Sequence, residues 1–292
     1  MKDKIAKLHD KHYKLLLLIP AAILIFCFLY TIFFYSINGD FFKKDISLTG
    51  GTSITIYDET DAEKLKEDLS EKLGEITTRE IYDIITREKK ALIIETKLPG
   101  NEARQILEDY LGYELNSENS SLEFTGSSLS ESFYRQLVIA IIFAFIFMAI
   151  VVFIIFRTFI PSLAIIISAF ADIFMTLTII NLFGFKLSSA GIVAFLMLIG
   201  YSVDTDILLT TRILKRKGEG NLNQRIFSSF KTGITMTLTS LLAVIVALFV
   251  VKSFSLILTQ IFMVLSIGLG FDLLNTWITN VSILKWYVEK KQ

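Results

Sequence analysis

Four aspartates in this 292-residue chain, Asp172, Asp204, Asp206 and Asp272, fall inside long apolar runs. On insertion scales a charge at the bilayer centre costs about 2.5–3.5 kcal/mol, so each needs a partner, a water-filled cavity or a proton. Two chemistries fit. The carboxylates relay a proton or cation, or they hydrogen-bond neighbouring helices and fix the packing. Asp204 and Asp206 form the leading relay pair. Residues two apart on a helix point about 200° from each other, however, so both face one pocket only where the helix unwinds. Arg212 follows Asp204 by eight residues, on nearly the same stripe but about 12 Å along the axis, and suits a membrane-surface anchor better than a direct partner. Lys231 opens the fifth apolar run at the same level. A nearby ammonium and desolvation act in opposite senses on a carboxylate's proton, a balance that a proton carrier exploits. Hydroxyls surround these charges: Ser188, Ser189, Ser202 and Thr205 in the fourth run, and Thr232, Thr235, Thr237, Thr239 and Ser240 in the fifth. The second set forms a polar seam between helices or bonds to its own backbone. Gly191 and Gly200 permit close helix approach.

Other chemistries are poorly supplied. The one cysteine, Cys27, permits no disulfide within the chain, and the two histidines, His9 and His12, sit in a Lys-rich N-terminal segment. That leaves no His/Cys zinc cluster and no Ser-His-Asp triad beyond that tail. There is no Walker motif, no metal or cofactor is implied, and Asp172 with Asp204 lies in no recognisable aspartyl-protease motif. The chain is read as a non-enzyme.

The elements that must position the aspartates are membrane helices. Hydrophobic residues make up 53% of the chain, its mean hydropathy is +0.58, and it has only three prolines. These values exclude disordered, collagen-like and disulfide-framework classes. About twenty apolar residues cross a hydrocarbon core of about 30 Å, and six stretches qualify: 15–37, 136–156, 161–183, 187–209, 232–251 and 255–284. The first is too long for a signal-peptide core and has no small-x-small cleavage site after it, so it reads as a retained anchor. Short loops on one side carry 15 Lys/Arg (Lys2, Lys4, Lys7, Lys11, Lys14, Arg157, Arg212, Lys215, Arg216, Lys217, Arg225, Lys231, Lys285, Lys290 and Lys291), against Lys186 and Lys252 on the other. The positive-inside rule then makes both termini cytoplasmic in a multi-pass protein of the cell membrane. The expected organisation is a cytoplasmic N-terminus (1–14), helix 1 (15–37), an extracytoplasmic domain (38–134), helices 2–6 (135–285) and a cytoplasmic C-terminus (286–292). The Lys-rich N-terminus also suits contact with anionic lipid, and Trp277, Trp286 and Tyr287 include interface anchors.

The extracytoplasmic block holds 11 Lys/Arg against 21 Asp/Glu, an acidity that excludes nucleic acid as a partner. Ile46–Tyr57 alternates like a strand, with Gly50-Gly51 as a bulge or close-approach point. Asp61–Leu73 repeats Ala62, Leu65, Leu69 and Leu73 as an amphipathic helix with an Asp cap. Ile76–Thr86 and Lys90–Lys97 read as a hairpin, Pro99-Gly100-Asn101 opens a helix through Tyr110 that Gly112 ends, and Ser121–Thr125 is a last short strand. The order β-α-β-β-α-β is the split-βαβ, ferredoxin-like α+β plan. Asn119-Ser120-Ser121 is a glycosylation sequon.

Four segments in order carry a resemblance. Leu48-Thr49-Gly50-Gly51-Thr52 is similar to the Gly-Gly-Thr element of the SecD/SecF family of protein-export membrane proteins. Gly200-Tyr201-Ser202-Val203-Asp204-Thr205-Asp206, closed by Arg212, resembles that family's fourth-span signature, and Phe230-Lys231-Thr232 to Leu238-Thr239-Ser240 its Ser/Thr-rich fifth-span segment. Asp272-Leu273-Leu274-Asn275-Thr276-Trp277, with Trp286-Tyr287, looks like the archaeal branch. The resemblance covers nearly the whole chain. It implies half of a twelve-span RND-type bundle, with a SecD-like subunit supplying the other half, a SecY-type translocon alongside and a translocating polypeptide as substrate. It also implies a drive from the ion gradient through Asp204 or Asp206. Bacterial members carry Asn-Asp-Thr where this chain has Asp204-Thr205-Asp206, and an Arg where it has Lys231, not a conservative change at a bidentate site. Two alternatives stand beside this reading: a small-molecule or lipid exporter of the RND type, which the short outer domain disfavours, and a purely structural assembly factor of the translocon.

Overall fold

The computed structural model describes residues 13–83, 86–216, 218, 220–253 and 255–291. Lys2, Lys4, Lys7, Lys11, His9, His12 and Lys217 lie outside these residues. Six helices are long and apolar enough to cross a membrane, and they build a multi-pass bundle. The first, α1 (Leu18–Asn38), ends where Gly39 turns left-handed at φ 73° and its N–H caps the Tyr35 carbonyl. After the outer domain come α5 (Ser127–Phe156), α6 (Phe159–Leu182), α7 (Ser189–Leu214), α8 (Leu222–Val251), α9 (Leu256–Leu274), a π-helical segment (Asn275–Asn280) and α10 (Val281–Lys291). α5 and α8 start about ten residues before the apolar runs expected for them. The helices continue past the hydrocarbon as polar turns, and α8 is started by a full capping box between Asn221 and Gln224.

The helices are not equivalent. The apolar windows of α6 and α7 are 56% buried inside the protein, whereas those of α5 and α8 are 6% and 11% buried. α6 and α7 are thus the interior, joined by α9, and α5 and α8 present their side chains outward. Close approach is made by glycine. A Cβ at Gly268 of α9 would collide with Leu198 of α7, and one at Gly233 of α8 would lie 2.5 Å from the Trp277 ring. Gly200 differs from this expectation, since nothing lies within 4 Å of its would-be Cβ. It faces out of the bundle.

The outer domain follows the split-βαβ plan. Strands β1 (Gly51–Ile56), β2 (Thr77–Tyr82), β3 (Lys89–Thr96) and β4 (Ser120–Thr125) form one sheet in the order β2-β3-β1-β4, antiparallel throughout. Helices α3 (Ala62–Leu73) and α4 (Gly100–Leu111) cover one face. The Asp61 carboxylate accepts from the Glu63 and Lys64 amides to start α3, and Ala62, Leu65, Leu69 and Leu73 point into an aliphatic core with Ile54, Ile56, Leu92, Ile94 and Leu107. One element departs from the alternation: Ile46–Thr49 is a helical turn, α2, and not the start of a strand. The Asp45 carboxylate caps it through the Ile46 amide at 2.5 Å, and a local cap outweighs a short alternating pattern. Gly50 and Gly51, at φ 82° and 145°, then carry the chain past Ser127 and the Thr96 carbonyl, where any Cβ would clash. Thr52 completes this Gly-Gly-Thr element by donating to the Leu98 carbonyl at 2.6 Å.

The open face of the sheet sits over the membrane helices. Between α6 and α7, Lys186 pairs with Glu75 at 3.0 Å and donates to Thr77 Oγ1 at 2.8 Å. These contacts to Lys186, with Lys97 beside it, hold the Glu75 carboxyl down at about 2. The Leu187 amide donates to the Lys43 carbonyl at 2.7 Å and the Asp45 amide to the Leu187 carbonyl at 3.0 Å. Gln260 of α9 donates to Asp45 at 3.3 Å and accepts from the Ser188 amide at 3.0 Å. In this junction, beside a cleft of about 490 Å³, Glu95 is buried with Oε2 unpartnered. Burial, with the nearby Asp45 charge, pushes its carboxyl up to about 7. The sequon asparagine, Asn119, is taken up in a turn, its amide donating to the Glu114 carbonyl at 2.9 Å.

Candidate functional site

The interior helices bring three of the four intramembrane aspartates together. Asp172 on α6, Asp206 on α7 and Asp272 on α9 are each 0% exposed. Asp172 accepts from Ser202 at 2.6 Å and from the Asn275 amide at 2.7 Å. Thr276, the next residue, reaches Asp206 Oδ1 at 2.8 Å and Asp272 Oδ1 at 3.1 Å. Asn275-Thr276 thus links all three carboxylates. Thr205 lies 3.3 Å from both Asp272 oxygens, Thr237 of α8 is 3.4 Å from Oδ2, and the Asn280 amide donates to Asp206 at 2.7 Å.

Every one of these donors is a neutral hydroxyl or amide, and no Lys or Arg among the described residues makes an ion pair with the cluster. Asp206 Oδ2 receives no hydrogen bond although it is buried, and the same is true of Asn280 Oδ1. Ser168 of α6 is close enough to act on Asp206, but its hydroxyl geometry completes no bond. A buried acceptor without a donor costs about 1–3 kcal/mol. The cluster is therefore rich in acceptor oxygen and poor in positive charge. Among the described residues no three His, Cys, Asp or Glu side chains converge closely enough to hold a metal ion.

A π-helical segment supplies part of this convergence: Asn275, Thr276, Trp277, Thr279 and Asn280 are all buried on it, and single π turns are frequent at functional sites. The sequence singles out Asp272 as a candidate relay carboxylate and the segment Asp272 to Trp277 as a motif, and it gives Asn275, Thr276 and Asn280 no role of their own. The available signal was four amide or hydroxyl residues, Asn275, Thr276, Thr279 and Asn280, within eight positions of Asp272.

The other candidates lie elsewhere. Asp204 and Asp206 do part company, as the 200° between them requires: Asp204 is on the outer surface of α7 and Asp206 in its interior. Val193, Met197, Gly200, Tyr201 and Asp204 form one exposed stripe on that helix. Lys231 is exposed, far in role from a buried partner, and Arg212 donates to Ser228 on α8 at 2.7 Å. Of the fifth-span hydroxyls, Thr232, Thr235 and Thr239 bond to their own helix backbone, and Thr237 alone reaches the cluster.

Comparison with known proteins gives a consistent result. Residues 107–290 match the family model described as protein export membrane protein SecD/SecF, C-terminal. A protein-export membrane protein SecF from Methanocaldococcus jannaschii is 41% identical over 95% of this chain and 96% of its own length. A SecF from Pyrococcus furiosus is 34% identical over 100% of this chain and 97% of its own. The crystal structure of SecDF, a translocon-associated membrane protein from Thermus thermophilus, superposes with a TM-score of 0.67 at 20% identity, covering 97% of this chain; the chain spans 38% of that longer protein. That likeness concerns the fold. Matched along its membrane bundle by the family model and end to end by archaeal relatives, the chain belongs to the SecD/SecF family of protein-export membrane proteins, on its archaeal SecF side.

Proposed function

We propose that the chain is an accessory subunit of the protein-export machinery, without bond-making catalysis of its own. In this reading it works with a SecD-like partner beside a SecY-type translocon to promote outward movement of polypeptide. The observation that carries the energetic part is the unpartnered Asp206 Oδ2 in a cluster with no positive charge: a proton or cation passing from the gradient has a place to dwell, and the linkage through Asn275-Thr276 gives its arrival a way to reposition three helices. The leading pair of the sequence reading is thereby replaced by Asp172, Asp206 and Asp272. Asp204 takes a different part. It lies about 22 Å along α7, exposed at a depth where lipid cannot solvate it, and its stripe supports a face covered by the partner half of an RND-type bundle. Both termini are assigned to the cytoplasm and the outer domain to the other side, on the positive-inside rule.

A second reading is favoured by the same hydrogen bonds, since carboxylates tied to Ser202, Thr205, Thr276 and Asn280 also lock helices together. Asp206→Asn separates the two. Protein export is measured in cells whose own copy is replaced by the variant, together with co-purification of the SecD-like subunit. Export lost with the complex intact supports the relay; loss of the complex supports the lock; unchanged export overturns the relay.

A further inference from the structure

At the end of the bundle opposite the outer domain, a cavity of about 920 Å³ opens between the α5–α6 turn, the end of α7, the first turn of α8 and α10. Arg225 of α8 lines it and is only 6% exposed. One guanidinium nitrogen, Nη1, donates to the Ile213 carbonyl, whereas Nε has no partner, and no carboxylate among the described residues pairs with the side chain. A buried guanidinium in this state is costly and is ordinarily matched by an anion. The hydroxyl of Thr158, in the same wall, is also buried and unpartnered.

The rest of the cavity is shaped for negative charge. Lys215 and Lys291, both exposed at its rim, donate among the described residues to the Ile155 carbonyl at 3.0 Å and the Tyr287 hydroxyl at 3.3 Å, respectively. Glu289, the acid lining it among the described residues, is engaged by the Tyr13 hydroxyl at 2.6 Å. The N-terminus of the 30-residue α8 opens into the same space, and helix N-termini attract phosphate. Phe156, Leu214 and Val288 add apolar wall, and the volume far exceeds that of one phosphate.

We propose that this cavity binds a phosphate group, held by Arg225 with Lys215 and Lys291, as carried by an anionic phospholipid headgroup or by phosphate from solution. The site is independent of the export reading, because binding is its readout. Thermal unfolding of the delipidated full chain in neutral detergent is followed against short-chain phosphatidylglycerol, the diacylglycerol of equal chain length, and inorganic phosphate. Phosphatidylglycerol is expected to raise Tm where diacylglycerol does not. Inorganic phosphate acting equally well names solution phosphate as the source; the lipid acting alone names the headgroup. Arg225→Gln is expected to weaken the apparent affinity at least tenfold, and Lys215→Gln with Lys291→Gln together about tenfold or more. The lysine pair, being exposed, remains readable where the arginine variant fails to fold. No anion-dependent shift, or an affinity that the lysine pair leaves unchanged, overturns the proposal.

Discussion

Ile94 and Asp206 are both 0% exposed, yet they are buried for opposite reasons. In the outer domain the interior is aliphatic: Ile54, Ile56, Leu65, Leu69, Leu92, Ile94 and Leu107 close on one another, water drives them there, and pairs such as Lys97–Glu75 and Arg104–Glu108 stay at the surface. In the membrane bundle many apolar side chains point out, with Phe147, Leu242 and Phe249 more than 60% exposed. Beside an apolar cluster that includes Phe195, Leu198, Val264 and Leu265, the interior between α6, α7 and α9 also collects Asp172, Ser202, Thr205, Asp206, Asp272, Asn275, Thr276 and Asn280. Lipid gives helices no hydrophobic reason to associate, so they associate through small residues and hydrogen bonds. Burial alone therefore says little until the solvent is named. A buried leucine in the outer domain reports folding, and a buried aspartate in the bundle reports a use for charge.

The sharpest way to break this contrast is to weaken each interior in turn. Leu92→Ala removes a fully buried side chain from the outer core and is expected to destabilise that domain by about 2–5 kcal/mol, read by thermal unfolding and by protease sensitivity of the outer domain. Asp206→Leu in the bundle strands the Thr276 and Asn280 donors and is expected to cost about 1–3 kcal/mol; a larger loss of thermal stability than that of Leu92→Ala would show that the carboxylates hold the helices together. Glu95, beside Asp45, is acid buried in the outer domain in the manner of the bundle. Its carboxyl is raised from 4.5 to about 7, so the folded state keeps a proton that the unfolded chain releases. Its contribution falls as pH rises from about 4.5 to 7 and stays low above that, by at most about 3 kcal/mol. Glu95→Gln is expected to flatten this slope in unfolding curves taken between pH 4.5 and 8.

Gly268→Val, which drives a side chain into Leu198, should cost the bundle about 1–3 kcal/mol by overpacking, measurable as a lower melting temperature in detergent. Lys186→Ala should have the smallest effect, no more than about 1 kcal/mol for a partly exposed pair. Glu75 sits below its ordinary value at about 2, so the wild-type contribution is present above about pH 4.5 and is lost as pH falls towards 2. The variant and the wild type are expected to converge in that acidic window in the same unfolding assay.

Much of this architecture was legible because it depends on length and period. Six apolar runs gave the spans, the Asp61 cap and the Ala62-Leu65-Leu69-Leu73 period gave α3, and the element order gave the sheet topology. The site was only partly legible. Spacing separates Asp204 from Asp206 but does not say which of them faces inward; that is decided by the packing of α6 and α9 against α7. The π-helical segment leaves no trace in an apolar run, so the polar residues after Asp272 were the one mark of Asn275, Thr276 and Asn280, and alternation hid the local cap that turns Ile46–Thr49 into a helix. Arg225 reads in sequence as one loop charge among several, although it is buried.

The junction at Lys186 has a mechanical meaning. The outer domain is fastened to the α6–α7 turn through Lys186, which meets Glu75 and Thr77, and through Leu187 and Ser189, which meet the segment from Lys43 to Ser47, and to α9 through Gln260 at Asp45. These are the helices that carry Asp172, Asp206 and Asp272. The attachment of the outer domain therefore lies at the ends of the helices whose interiors hold the carboxylates, and it consists of a few hydrogen bonds and one ion pair.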